Sequence, residues 1–443
     1  MTTTHANPRS AQHSDNDSIS VTTMVHVLLI GTCDTKLDEL LFLRTAIEEA
    51  DPNVAVSLID VGRRQTKHDA IKYTHNKLIE SYGNGQKVDE LPRGELVKTM
   101  AELATALVRD LHQESDGTWI DGIISAGGSG GTSIAAAVMR YALPIGFPKL
   151  IVSTVASGDT GPIVEETDIT LMYSVVDVAG LNGVLRNILS NAGAAIAGMA
   201  CSYAGRRQAS AAKAKIRVGI TMFGVTTPGV DAIRKHLESE HDVEIYVFHA
   251  TGHGGKAMER LVREGGLDAV LDLTTTEVCD LVTGGVMSAG HQRLEAAAKA
   301  GIPNIVSVGA TDMSNFGPKN TVPERYKSRK LYEHNPMVTL MRTSQEEAGE
   351  VGCFIASQLR QHARDPGMVE VWLPKGGISM IATPEGPFAD ASADEAMFNA
   401  IKEGLNESGI QTRADERDIN DASYARDIAE ALMEKVRTHV TRP

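Results

Sequence analysis

The stretch Gly122-Ile123-Ile124-Ser125-Ala126-Gly127-Gly128-Ser129-Gly130-Gly131-Thr132-Ser133 runs from an apolar segment into a glycine-rich loop, and Ile134–Met139 continues with helical character. This order predicts a strand, a loop and a helix. Four glycines within five residues let the backbone approach a ligand without an intervening Cβ. The first N–H groups of the helix would then face an anion. The stretch predicts a cradle for a phosphate or a carboxylate, and a tight structural turn is the alternative.

The loop does not match the two best-known phosphate-binding patterns. No lysine follows Gly131, as the Walker pattern requires, and Ser133 stands where the dinucleotide fingerprint has its third glycine. The loop alone therefore predicts a bound anion but not the kind of molecule that carries it.

Similar apolar runs, rich in Val and Ile, recur along both halves of the chain. In the first half they are Val25–Ile30, Val54–Asp60, Gly122–Ser125 and Lys149–Thr154; in the second they are Arg217–Phe223, Val243–Phe248, Ala269–Leu273 and Asn304–Val308. Uninterrupted apolar strands that alternate with helices are typical of parallel sheets covered on both faces. We predict an α/β protein with two Rossmann-like parallel-sheet domains, related by duplication, with helices on both faces of each sheet.

The composition of the chain suggests where the domains begin and end. Residues 1–24 are polar and predict a disordered N-terminal tail, whereas 25–205 and 214–443 each contain one series of apolar runs. The small-polar, basic stretch Gly205–Lys213 separates the two series. The charged segment Arg63–Arg93 interrupts the first series, and we expect it to be an excursion from the sheet.

Charge, cysteine content and hydropathy narrow the class of protein. The chain has 43 basic and 57 acidic residues and a net charge of −14, which argues against a nucleic-acid scaffold. The four cysteines lie far apart and form no paired motif, which favours a reducing compartment. No secretory signal or membrane-spanning run is evident. We expect a cytoplasmic protein without a membrane partner.

Ligands of doubly wound sheets bind beyond the carboxyl ends of the strands, so the strand-end loops carry our candidates for cofactor binding. These residues are Thr32, Asp34, Thr35, Lys36, Gly127, Gly128, Ser129, Gly130, Gly131, Thr132, Thr154, Ser157, Gly158 and Asp159. Asp34 and Asp159 are candidate Mg²⁺ ligands, because magnesium needs only one or two carboxylates besides phosphate and water. Lys36 in a first helical turn opposes the helix dipole unless an anion lies near. For each of these loops, the alternative to cofactor binding is that the polar side chains only cap the helix that follows.

The second half offers candidate catalytic groups, namely His249, Glu277 and Asp312. His249 and His253 are four residues apart, but Gly252 between them and the preceding strand make a helical metal pair unfavourable. A second anion loop with Lys256 as counter-charge fits the segment better. Arg325, Arg329 and Arg342 could clamp an acidic ligand, although ordinary surface or interface roles are favoured.

Several motifs together resemble a known family. They are Gly31-Thr32-x-Asp34-Thr35-Lys36, Gly127–Thr132, Ser157-Gly158-Asp159, Phe248-His249-Ala250-Thr251-Gly252, Gly309-Ala310-x-Asp312-Met313 and Tyr332-x-His334-Asn335-Pro336. The chain resembles the ATP-binding family whose plant members include the tomato mosaic virus resistance protein. The resemblance covers about Val25 to Met433. Ala382, Asp418 and His253 depart from the family pattern, which puts a catalytic use of the C-terminal segment in doubt.

The resemblance implies ATP and Mg²⁺ as cofactors, a two-domain Rossmann-like fold and a homodimer. Our first hypothesis is therefore an ATP-binding protein, such as an ATP-dependent enzyme of small-molecule acid metabolism. One alternative is a non-catalytic module whose binding of another protein is regulated by ATP. Another is an enzyme that acts on a phosphorylated or carboxylated metabolite without ATP. The motifs do not decide which type of reaction the chain would catalyse. They also do not decide whether the chain is an enzyme.

Overall fold

A computed structural model describes residues 24–113, 120–208 and 215–441. The chain divides into two compact units, one of residues up to 164 together with 169–209, and one of residues 165–168 together with those from 210 onwards. The predicted disordered tail, apart from Met24, and most of the predicted linker lie outside the described residues.

The first unit is a parallel sheet of six strands in the order β3-β2-β1-β4-β5-β6. Its strands are β1 (Val25–Gly31), β2 (Val54–Asp60), β3 (Ile71–Tyr73), β4 (Gly122–Gly127), β5 (Lys149–Ser153) and β6 (Thr170–Tyr173). Its helices are α1 (Cys33–Ala50), α2 (His75–Tyr82), α3 (Arg93–Gln113), α4 (Ser129–Ala142), α5 (Gly161–Val164) and α6 (Gly183–Gln208).

The second unit contains another six-stranded parallel sheet and a small antiparallel one. The strands are β7 (Ile216–Met222), β8 (Val243–His249), β9 (Ala269–Thr274), β10 (Asn304–Gly309), β11 (Met313–Phe316), β12 (Leu331–Asn335), β13 (Val338–Arg342), β14 (Val369–Pro374) and β15 (Gln411–Asp415). The helices are α7 (Thr227–Glu240), α8 (His253–Arg263), α9 (Glu277–Thr283), α10 (Ala296–Ala300), α11 (Gln345–His362), α12 (Ala391–Leu405) and α13 (Ala422–Val440). The parallel sheet has the order β15-β14-β10-β9-β7-β8, and the antiparallel sheet has the order β11-β13-β12.

Strand β1 shows why the apolar runs form central strands. Successive side chains of a strand point to opposite faces of the sheet. Val27 and Leu29 pack with α1 and α6 on one face, while Leu28 and Ile30 pack with α3 and α4 on the other, and all four are fully buried. A run that must be apolar at every position is the signature of a sheet covered on both sides. The predicted α/β fold with two parallel sheets is confirmed.

The two parallel sheets share a core of five strands. Without β3 at one edge, the first sheet runs β2-β1-β4-β5-β6, and without β15 the second runs β8-β7-β9-β10-β14. In both, the chain order of the strands is 2-1-3-4-5, as a duplication would give. The segment Arg63–Arg93, expected to leave the sheet, instead returns to its edge as β3 and then forms α2.

The antiparallel sheet was not anticipated from the sequence. It is inserted between β10 and α11, and it holds several of the motif residues quoted above, including Met313 and Asn335. Strand β12 is largely exposed, so its residues carry no apolar run that would mark a strand.

None of the described helices combines the length and the apolar character needed to cross a bilayer.

Helices α11 and α12 pack closely against each other at a glycine of α11, so a substitution of that glycine tests how tightly the two helices pack. A Cβ on Gly352 would lie 2.5 Å from the carbonyl oxygen of Met397, whereas one on Gly349, in the same helix, would meet no atom within 4 Å. We expect Gly352→Ala to lower the free energy of unfolding by about 2 kcal/mol, since it forces two packed helices apart. Gly349→Ala should be neutral or stabilising by up to about 1 kcal/mol through helix propensity. Urea unfolding of both variants checks this, and equal stability would contradict the described packing.

Candidate functional site

The carboxyl edge of the first sheet has a crevice between β1 and β4. The two strands pair directly, with Ile30 opposite Ser125. The chain leaves β1 into α1, which packs on one face of the sheet, and leaves β4 into α4, which packs on the other. Neighbouring strands whose helices depart to opposite faces form a topological switch point, where open α/β sheets bind their ligands. The loops that follow β1 and β4 flank this crevice.

The glycine-rich loop places the start of α4 at the switch point. Gly127 ends β4, and Gly128 is the residue that precedes the first turn of α4, in extended conformation and with no side chain to cap the helix. The N–H groups of Ser129, Gly130 and Gly131 have no hydrogen-bond acceptor among the described residues. A Cβ on Gly131 would meet no atom within 4 Å. Backbone donors at a helix N-terminus that have no acceptor in the described protein favour an anion.

Hydroxyl groups join the glycine loop to the end of β5. The buried hydroxyls of Thr132 and Ser153 are hydrogen-bonded at 2.7 Å, and the Ser153 hydroxyl also accepts the N–H of Val155 at 3.1 Å. The N–H of Thr154 donates to the Gly127 carbonyl at 3.3 Å, so the two strand-end loops lie side by side. Thr132 therefore has a bracing role, whereas the partly exposed Thr154 is free to contact a ligand.

The loop after β1 is braced by two carboxylates. Buried Asp60, the last residue of β2, accepts the N–H groups of Cys33 at 3.1 Å and Gly62 at 2.9 Å. Asp34 accepts the N–H groups of Arg63 at 2.9 Å and Arg64 at 3.3 Å. Asp34 is thus engaged by the loop after β2 rather than by its own helix. Of the two magnesium candidates it is the less available.

Thr35 and Lys36 complete this loop. The hydroxyls of Thr32 and Thr35 lie 3.0 Å apart, and Thr35 is exposed. Lys36 departs from helical geometry, with φ −136° and ψ 23°, and its ammonium forms no ion pair within the described parts of the chain. Burial raises the pKa of the neighbouring Cys33 thiol well above its usual range, so Cys33 is a packing residue and not a nucleophile.

The loop after β5 exposes the remaining candidates. Ser157, Gly158 and Asp159 are all exposed, and Asp159 accepts the N–H of Gly161 through Oδ1 at 3.1 Å. Its other oxygen has no partner among the described residues. Asp159 is therefore the better placed of the two candidate magnesium ligands.

Arg93 is a residue of this edge that the sequence reasoning missed. A Cβ on Gly130 would lie 3.9 Å from Nη2 of Arg93, so the guanidinium stands beside the first turn of α4. Arg93 is exposed and has no ion pair among the described residues. It lies 37 positions before Gly130, at the start of α3, and nothing in the local sequence sets it apart from other surface arginines. Only the packing of α3 on α4 brings it to the loop.

The second unit has a carboxylate, that of Glu277, at the position in its fold that the glycine-rich loop occupies in the first unit. Glu277 begins α9, after β9, at the switch point of the second sheet. Its Oε1 accepts the N–H groups of Gly252 at 2.7 Å and Gly255 at 3.0 Å, at the start of α8. The anion that we expected at the glycine loop of Phe248–Glu259 is therefore supplied by the protein. Gly255 is required there, since a Cβ would lie 2.0 Å from Oε2 of Glu277.

Glu277 also belongs to a buried ionic cluster around Arg293. Its Oε2 accepts Nε of Arg293 at 2.7 Å, and the Arg293 guanidinium pairs through both terminal nitrogens with Asp272, one of them at 2.7 Å. Glu259 lies 3.5 Å from the same guanidinium and accepts the N–H groups of Leu294 and Ala296. Burial raises the pKa values of Glu259 and Glu277. One cation thus offsets three carboxylates, and Glu277 has a clear structural role.

Asp312 lies after β10 and is fully buried. Its Oδ2 accepts the hydroxyl of Ser379 at 2.9 Å, while its Oδ1 has no hydrogen-bond partner among the described residues. Burial raises the pKa of Asp312 to about 7. A raised pKa of this kind would suit proton transfer, but the Asp312 side chain is fully buried, so a catalytic use of it stays a prediction.

The other polar candidates of the second unit are exposed or internally paired. His249 and His253 are exposed. Arg325 donates to the Thr283 carbonyl at 3.0 Å, Arg329 forms two hydrogen bonds to Glu347, and Arg342 pairs with Asp394 at 2.6 Å. These contacts agree with ordinary structural roles for the three arginines.

Fold and strand-end geometry define a protein of two doubly wound α/β units, each with a switch point at its carboxyl edge. The chain belongs to the UPF0261 family: the model of that family's N-terminal domain matches residues 25–205, and the model of its C-terminal domain matches 215–436. The family is described as an uncharacterised protein family.

Relatives occur in bacteria and plants. A UPF0261 protein of Clostridium tetani is 43% identical over 92% of this chain and 98% of its own length. The tomato ToMV resistance protein Tm-1(GCR237) is 39% identical over 92% of this chain but only 55% of its own length. Among solved structures, the UDP-N-acetylglucosamine 2-epimerase of Rickettsia bellii is 12% identical over 94% of this chain and 97% of its own, with a TM-score of 0.21. A score this low carries no argument about function.

The Arg293 cluster predicts a pH-dependent loss of stability. Arg293→Met leaves three buried carboxyl groups without their cation, which costs about 3–5 kcal/mol when they must be charged. Carboxyl groups with pKa values raised by burial destabilise the fold progressively as pH rises and are neutral at low pH. The loss should therefore be larger at pH 8 than at pH 5 in thermal unfolding.

The matched control is Arg329→Met, which removes a partly exposed pair with Glu347. It should cost at most about 1 kcal/mol, because such pairs are weak. Equal losses in the two variants, or no dependence on pH for Arg293→Met, would show that the cluster is not charged in the folded protein.

Proposed function

We propose that the first unit binds a phosphate-bearing nucleotide, ATP with Mg²⁺, at the switch point between β1 and β4. The observation that carries this proposal is the uncapped N-terminus of α4, where the N–H groups of Ser129, Gly130 and Gly131 have no hydrogen-bond acceptor among the described residues. A phosphate chain would accept these donors and interact favourably with the helix dipole.

The electrostatics of the edge support a strongly charged anion. Lys36 and Arg93 have no ion pairs in the described parts of the chain, although the protein as a whole carries a net charge of −14. Arg93 stands beside the first turn of α4, and Lys36 lies in the first turn of α1, which follows β1. Cations without ion pairs among the described residues, in an acidic protein, favour a ligand with several negative charges. Asp159, exposed and partly free, is the carboxylate that would hold Mg²⁺ against the phosphates.

The contrast between the two units supports the same assignment. The second unit places Glu277 at its switch point, as the first residue of α9. The carboxylate of Glu277 accepts hydrogen bonds from the start of α8, the helix that follows the neighbouring edge strand β8. The first unit has no carboxylate in the corresponding position and has glycines instead. The choice of ATP among phosphate-bearing ligands rests on the family resemblance, and it is the part of the proposal that a panel of ligands tests.

Thermal unfolding with ligand tests the proposal. Binding to the native state alone stabilises by RT ln(1 + [L]/Kd), about 2.7 kcal/mol at 100 times Kd. Millimolar Mg-ATP should raise the unfolding midpoint by roughly 5 °C, since about 1 kcal/mol corresponds to 2–4 °C in domains of this size. Inorganic triphosphate should give part of the shift, and adenosine none. A shift with a carboxylated metabolite but not with Mg-ATP would support the alternative of an enzyme that does not use ATP.

Gly131→Leu should abolish the shift without harming the fold. The added Cβ meets no protein atom, and we expect the rest of the leucine side chain to crowd an anion bound at the first turn of α4. The control is Gly198→Leu, in α6, whose Cβ also meets no atom within 4 Å. Gly198→Leu should retain the shift. If Gly131→Leu binds Mg-ATP as well as the control does, the glycine loop is not the phosphate site.

A further inference from the structure

We propose that His236, His241 and Glu430 form a Zn²⁺ site on the second unit, away from the carboxyl edges of the sheets. His236 lies in the last two turns of α7, His241 is the residue after that helix, and Glu430 lies on α13. Their ligand atoms all lie within 4.8 Å of one another. Across residues 24–113, 120–208 and 215–441, this is the one cluster of three such side chains close enough to share a metal ion.

The geometry brings both imidazoles to one carboxylate. Nε2 of His236 and Nε2 of His241 each lie 2.8 Å from Oε1 of Glu430. In a tetrahedral site with bonds of about 2.05 Å, the ligand atoms are about 3.3 Å apart. A shift of about half an ångström in each side chain therefore makes room for the ion. Two imidazoles and a carboxylate are a ligand set that Zn²⁺ prefers, and they leave a fourth position for water.

The end of α7 explains how His236 and His241, five residues apart in sequence, both reach the carboxylate of Glu430. On a continuous helix, positions i and i+5 lie on different faces. Here α7 ends at Glu240, and His241 has extended backbone angles, φ −135° and ψ 152°. This break turns its side chain back toward Glu430. The pair His249 and His253, which has the conventional helical spacing, is not part of any such cluster in the described chain.

The surroundings suit a cation held partly out of solvent. The side chains of His236 and His241 are 21% and 16% exposed, and that of Glu430 is 41% exposed. Three further carboxylates, Glu238, Glu240 and Asp242, flank His241 in the sequence. Arg437 lies 3.7 Å from Oε2 of Glu430, but it is 63% exposed and can move aside.

A bound Zn²⁺ would tie α13 to α7. The two helices already pack through Ile233, Leu237, Ile428 and Leu432 on one face of the second sheet. The ion would add a link at the carboxyl end of α7, so it should stabilise the second unit. This role is independent of nucleotide binding in the first unit.

The full-length chain, freed of metal with a chelator, tests the site by calorimetric titration. One equivalent of Zn²⁺ should bind, whereas Mg²⁺ and Ca²⁺ at the same concentration should not, because those ions prefer oxygen ligands. Zinc should raise the unfolding midpoint. Co²⁺ in its place should give the visible absorption of four-coordinate cobalt with nitrogen ligands.

His241→Ala and Glu430→Gln should each weaken zinc binding by roughly 100-fold or more, since each removes a direct ligand and the loss of an outer-shell partner alone costs about 10–100-fold. The matched control is His362→Ala, which removes the same kind of pair, His362 with Glu295 at 3.4 Å, but no second imidazole. It should bind zinc as the unaltered chain does. Unfolding curves without zinc establish that the variants are folded, and Glu430→Gln preserves the shape of the side chain.

Two results would overturn the proposal. One is the absence of a stoichiometric site in the unaltered chain. The other is zinc binding that survives in both His241→Ala and Glu430→Gln, which would place the ion on other histidines. In either case the three side chains form only a hydrogen-bonded link between α7 and α13.

Discussion

The pairing of β1 with β4 is the constraint on which the candidate site depends. Parallel pairing brings the carboxyl ends of both strands to one edge, with Ile30 opposite Ser125. The helices that follow pack on opposite faces, because each strand is apolar on both sides. The crevice between them cannot be filled by either helix, and the first turn of α4 is left facing it. The availability of the glycine-loop donors follows from this arrangement.

The two units have the same strand order but different residues at the carboxyl edge of the sheet. In the second unit, Glu277 at the switch point accepts hydrogen bonds from the start of α8 and anchors Arg293 in a buried cluster. That arrangement uses the donors for stability. In the first unit, the carboxylates Asp34 and Asp60 brace the loops after β1 and β2, and the first N–H groups of α4 have no acceptor among the described residues. The units share a strand order but differ at this edge, where the second unit has the carboxylate of Glu277 and the first has glycines.

The sequence predicted the parts of the structure that local chemistry determines. Runs such as Val25–Ile30 predict buried strands because every position must be apolar, and Gly127–Gly131 predicts a loop that leads into a helix. Strands β3, β6 and β15 and the three strands of the antiparallel sheet were missed. Strands β3, β6, β12 and β15 lie at sheet edges and have no such run, whereas β11 and β13 are short buried strands of four and five residues. The partnerships of Arg93, Arg293 and Glu430 were also missed. Each joins residues from different elements, and only tertiary packing brings them together.

The most direct test of the account is a crystal structure of the chain with Mg-ATP. The account predicts phosphate oxygens within hydrogen-bond distance, about 2.7–3.2 Å, of the backbone nitrogens of Ser129, Gly130 and Gly131. It also predicts that the side chain of Lys36 or Arg93 contacts the same phosphates. A nucleotide bound at the second unit, or phosphates held elsewhere with these three N–H groups still facing solvent, would contradict the central claim.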